Sequence, residues 1–130
     1  MKFQPDTRDG VNVITRHEAG RLWVASTPYA HSVIVPWVGE VQAWGPAQTG
    51  ELTAAHFERI ALLKPEVVIF GSGQRLCFVA AALMRSLIER RIGVETMDTA
   101  AACRTYNVLA SEGRSVVAAL LLQPRGAGVG

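Results

Sequence analysis

Gly71-Ser72-Gly73 follows directly on the apolar run Val67-Val68-Ile69-Phe70, and Gln74 and Arg75 come next. Four apolar residues bounded by turn signals read as a buried strand. A strand that enters a Gly-rich turn ahead of a helix gathers free N–H groups at one point, and the helix dipole adds positive potential there. The chemistry such a turn offers is capture of an anion, with Arg75 supplying a charge. Asp98 and Thr99 stand at the end of the next predicted strand, and Asn107 lies within the last predicted helix. In open α/β sheets ligands bind at that edge of the sheet. The candidate ligand site is therefore Gly71, Ser72, Gly73, Gln74, Arg75, Asp98, Thr99 and Asn107, with a small anionic ligand as occupant.

Sharper motifs fail on inspection. Asp98 lies 25 positions beyond Gly73, near the spacing of a ribose-binding acid, but Leu76 replaces the third glycine of a dinucleotide fingerprint. Asp98 also has a simpler reading as a helix cap. No Gly-Lys-Ser/Thr follows the turn, and Phe70 and Gln74 occupy the positions where a nucleophile elbow needs glycines. Ser72 is then a residue that satisfies backbone groups rather than a nucleophile. His17, His31 and His56 have no metal-ligand companion in sequence, and no pair of carboxylates is spaced for acid–base work. No catalytic residue, metal or cofactor is assigned. Asn is a poor helix former, so Asn107 is expected to bond a neighbouring loop or to touch a ligand.

Three tryptophans remain. Trp23 is expected in the core. Trp37 and Trp44 sit in a Pro/Gly-rich stretch and are candidates for a contact surface, since aromatic side chains anchor interfaces; packing within the loop is the alternative.

These residues need a scaffold, and hydrophobic periodicity supplies one. Residues 11–15 and 21–25 form an antiparallel hairpin about Glu18-Ala19-Gly20, and Pro28 interrupts. Residues 32–35 make a third strand closed by Pro36, with a short edge strand at 41–44. Thr53 caps a first helix whose start is stapled by Leu52 and Phe57. A second helix is expected from about Leu76 to Arg91, with two adjacent apolar stripes that call for more than one neighbour. Gly93 would end it in a C′ position. A strand at 94–97, a helix over about 100–111 and a last strand at 116–122 complete the order. The alternation of strand and helix predicts parallel crossover units joined to an antiparallel N-terminal part. The fold class is thus α/β, a three-layer domain with a central mixed sheet.

Composition bounds the rest. A chain of 130 residues makes one domain, taken as residues 1–122 followed by a loose tail at 123–130. With 49% hydrophobic and 18% charged residues it is globular. A net charge of +2 with scattered arginines gives no nucleic-acid footprint. No apolar run approaches the ~20 residues of a membrane helix, and the first residues lack a signal-peptide core. A cytoplasmic protein is expected. Cys77 and Cys103 match no metal or redox spacing and are expected to be reduced core thiols.

Three segments in order carry a resemblance. They are Pro65-Glu66 with the following strand and Gly71-Ser72-Gly73, then Arg91-Ile92-Gly93-Val94-Glu95 with Met97-Asp98-Thr99, then the helix Ala102 to Leu109 with Glu112-Gly113-Arg114. From Asn12 to Leu122 the chain resembles the small α/β domain family that includes mitochondrial complex I assembly factor 3 and many bacterial proteins. The resemblance implies a three-layer fold around a mixed sheet. It implies no enzymatic reaction, and action through protein contacts, with a protein partner or a second copy of the chain.

Overall fold

The computed structural model describes residues 10–123. The strands are β1 (Ile14–Glu18), β2 (Arg21–Val24), β3 (Thr27–Tyr29), β4 (Val33–Val35), β5 (Gln42–Ala43), β6 (Val67–Gly71), β7 (Gly93–Met97) and β8 (Val116–Leu120). The helices are α1 (Ala54–Ala61), α2 (Arg85–Glu89) and α3 (Thr99–Ser111). Apart from Gln123, the tail expected at 123–130 lies outside the described residues, as does most of the N-terminal lead-in.

The fold is α/β around a five-stranded mixed sheet of order β5-β4-β8-β6-β7. β6 pairs parallel with both β7 and β8, while β4 pairs antiparallel with β8. Every residue of β6 and β8 is buried, as a strand covered on both faces requires. Their side chains alternate between two cores. Val67, Ile69, Val116, Ala118 and Leu120 face α3, while Val68, Phe70, Val117 and Ala119 face Phe57, Leu87 and Trp44. The sheet is thus the middle of three layers.

Two expectations about the strands need correction. The N-terminal hairpin does not join the central sheet; β1, β2 and β3 form a separate antiparallel sheet that packs on α3. β3 itself includes Pro28, which was expected to interrupt; it lies opposite Trp23 on an edge strand, where a missing N–H costs no interior ladder bond. Trp23 is also not core. It is half-buried on the hairpin, with the guanidinium groups of Arg16 and Arg21 4.7 Å and 5.8 Å from its ring.

The second helix is the larger departure. Residues 74–80 are irregular, a 3-10 turn spans Ala81–Met84, and only Arg85–Glu89 is α-helical. The two apolar stripes demanded two neighbours, and the fold supplies one. Val79, Leu83, Met84 and Leu87 reach the core on the α1 side, whereas Leu76 and Phe78 remain in solvent at 55% and 72% exposure. Helix propensity without a packed face is a weak constraint. The helix end is also displaced: Arg91 takes the left-handed conformation (φ 59°), and Gly93 opens β7 instead.

Candidate functional site

The turn after β6 is built by side chains that use its own backbone. Ser72 Oγ donates to the Arg75 carbonyl at 2.7 Å and accepts from the Cys77 N–H at 2.9 Å. That local competition for backbone groups sends the chain out of helical geometry. Ser72 N–H donates to Met97 O at 2.8 Å, and Gly73 N–H donates to Thr99 Oγ1 at 2.9 Å. The two amides expected to cradle an anion are therefore already engaged, and no helix begins at Gly73 to add a dipole.

Thr99 is the other half of the same construction. Its hydroxyl passes the Gly73 bond on to Leu121 O at 2.9 Å, and its own N–H donates to Gly73 O at 2.8 Å. The residue is 2% exposed. Such closeness requires Gly71, because a Cβ there would lie 3.0 Å from Thr99 Cα and 2.9 Å from Thr99 Oγ1. Gly73 serves differently: its φ of +109° lies where side chains are strained. The signature glycines are thus a close-packing position and a turn position.

Asp98 caps α3, accepting from the Ala101 N–H at 2.8 Å. The structure does bring Gly73, Gln74, Asp98 and Thr99 to one cavity of about 290 Å³ at the sheet edge. His17, Ala19, Gly20, Ala100, Leu121 and Gln123 complete it. Arg75 is not there. It lies with Thr49, Ser72 and Cys77 in a neighbouring depression, which Gly73, Gln74 and Gln123 also border. Asn107 is elsewhere too. Its Oδ1 accepts from Ile14 N–H at 2.9 Å and its Nδ2 donates to Ile14 O at 2.8 Å, which straps β1 to α3. Of its two expected roles, the hydrogen bond to a neighbouring segment is the one present.

The tryptophans also move. Trp44 is 2% exposed, stacked edge-on against Phe57 and Phe70, and donates through Nε1 to His56 O at 3.2 Å. It offers no contact surface, and the loop-packing alternative describes it. Trp37 is half-buried and donates to Ala110 O at 3.2 Å.

His17, Gln123 and Phe78 are the positions that sequence reasoning missed. His17 stands 81 positions before Asp98, and no spacing rule links a hairpin residue to a helix cap that far away. Phe78 was hidden by its periodicity, which placed it in a helix. Burial holds the His17 imidazole below its usual range, against the raising influence of Asp98 and Glu18 and with a further lowering influence from Arg104. The sign for stability follows. As pH falls below about 6.5 the unfolded chain takes up this proton before the folded one, so stability present at neutral pH is lost through the window below that value. Thermal midpoints from pH 7.5 to 5 should therefore fall more for the native chain than for His17→Gln; parallel curves would refute the assignment. Burial also raises the Cys103 thiol to about 12, which keeps it protonated and unreactive. Cys77 is a free, half-buried thiol outside the core, with Sγ 3.3 Å from Thr49 Oγ1. No group of three or more His, Cys, Asp and Glu among the described residues could hold a metal ion. No helix among them is long and apolar enough to cross a membrane.

A Bordetella parapertussis protein of known crystal structure superposes with a TM-score of 0.84 at 35% identity, over 90% of this chain and 100% of that one. A Bordetella pertussis protein, a Mth938-like domain, gives 0.81 at 30% identity, over 95% and 94%. The human NADH dehydrogenase [ubiquinone] 1 alpha subcomplex assembly factor 3 is 35% identical over 88 residues, 66% of this chain. The chain spans about half the length of that relative, 48%. The family described as protein of unknown function (DUF498/DUF598) matches residues 14–121. That match takes in every strand and helix described above, and the chain belongs to this family.

Proposed function

We propose that this chain is a non-catalytic module that acts through protein contacts in the assembly of a larger complex. The observation that carries the reading is the irregular segment from Gln74 to Ala80, which holds Leu76 and Phe78 in solvent. A Phe at 72% exposure buries little of its apolar surface in the isolated fold. Burying it against a partner returns about 1.5–3 kcal/mol by the usual area relation. The similarity to a protein named as an assembly factor points the same way. Half-buried Trp37 lies on the other side of the sheet, against α3, and belongs to packing rather than to this surface.

The test is capture of a partner by the tagged chain with quantification by mass spectrometry. Phe78→Asp should reduce recovery of a stoichiometric partner at least about tenfold, as for an interface anchor, with the thermal midpoint unchanged within about 2 °C. Full recovery by Phe78→Asp and by Leu76→Asp would sink the reading. Sedimentation at several concentrations separates a foreign partner from a second copy of the chain.

A further inference from the structure

The cavity between the hairpin and the start of α3 has the opposite polarity from the one its turn suggests. The Ser72 and Gly73 amides are engaged by Met97 O and Thr99 Oγ1, and Arg75 opens onto the neighbouring depression. What lines the cavity instead is Asp98, whose carboxylate accepts one bond from the Ala101 N–H. His17 lines the same space and is neutral at pH 7, since burial lowers it from a usual value of 6.5. Gln123 donates its Nε2 to Gln48 Oε1 at 3.4 Å, which leaves its carbonyl oxygen for a donor. The nearest cations do not enter. Arg16 pairs with Glu18 and lies over Trp23, and Arg16 and Arg104 line the adjoining groove on the far side of His17 and Ala100.

We propose that this cavity of about 290 Å³ is a socket for a Lys or Arg side chain of a partner protein, with Asp98 as counter-charge and the Ala19 and Ala100 methyl groups as apolar wall. The inference rests on the reading of the chain as a contact module and specifies the chemistry of what it contacts. A carboxylate or phosphate in the same place would stand against the Asp98 carboxylate. A basic side chain satisfies both parts of the lining: its methylene stem covers the apolar wall while its head reaches the carboxylate and the Gln123 carbonyl oxygen.

The probes are the capped residues Nα-acetyl-lysine N-methylamide, the arginine counterpart, and norleucine as the neutral isostere. Amide shifts at Gly73, Ala100 and Leu121 report binding. The two cations should bind about three- to fivefold tighter than norleucine, the worth of a partly screened ion pair. Asp98→Asn keeps a good helix cap and should abolish that preference while the helix signals stay in place. Ala100→Leu keeps the charge, fills the cavity and should abolish binding of all three. Equal binding of lysine and norleucine, a preference for acetate, or a preference that survives Asp98→Asn would overturn the proposal. These probes involve no partner. Their failure leaves the Phe78 result standing, and a failure at Phe78 leaves theirs.

Discussion

Trp44→Ala should cost about 3–5 kcal/mol of folding stability, the range for removing a buried aromatic side chain. For a chain of this size that lowers the thermal midpoint by roughly 10–20 °C. The magnitude comes from position. Trp44 is 2% exposed and makes edge-to-face contacts with Phe57, Phe70 and His56 at ring-centroid distances of 5.8, 6.0 and 6.3 Å. It ties the segment before α1 to β6 and α1 at once, and its N–H satisfies the His56 carbonyl. Trp44→Phe retains most of the packing and loses that hydrogen bond, so it should recover more than half of the loss. An interface anchor behaves otherwise: its truncation spares the monomer and weakens only the complex. A Trp44→Ala protein with an unchanged midpoint would therefore return Trp44 to the surface.

The second large effect is expected at Thr99. Thr99→Val preserves shape and removes one oxygen, yet that oxygen accepts from the Gly73 N–H and donates to Leu121 O. Both backbone groups would be left without a partner at a site where water has little access, at about 1–3 kcal/mol each. A total loss of about 2–6 kcal/mol is expected, with faster amide exchange localised at Gly73. Thr99→Ser keeps the hydroxyl and should stay within about 1 kcal/mol of the native chain. Equal stability of Val and Ser variants would show that solvent reaches the turn and repairs it.

The Gly-Ser-Gly run resembles a ligand-binding turn because both need close backbone approach and a positive φ. Here the approach is to Thr99 and the backbone donors are spent on the fold itself. Its features therefore describe the junction between β6, β7, β8 and α3. The proposed contact surface and the proposed socket lie on either side of that junction, at Phe78 and at Asp98.

Local chemistry in the sequence decided the type and order of nearly every element. Val67–Phe70 and Val116–Leu120 could be read as buried strands because every residue in them is apolar. Thr53 and Asp98 marked helix starts through capping that acts within a few residues. Leu52 and Phe57 announced their shared core in the same way, and both are buried in it. Tertiary structure alone decided the rest. Whether the apolar stretch from Leu76 to Met84 coils into a helix depends on how many of its faces find a neighbour, and periodicity counts faces without counting neighbours. Whether an amide is free to hold an anion depends on which hydroxyl or carbonyl arrives from a distant segment, as Thr99 and Met97 do at Gly73 and Ser72. The lining of the cavity was likewise tertiary, because His17 and Gln123 reach it only when the hairpin and the end of β8 close around α3.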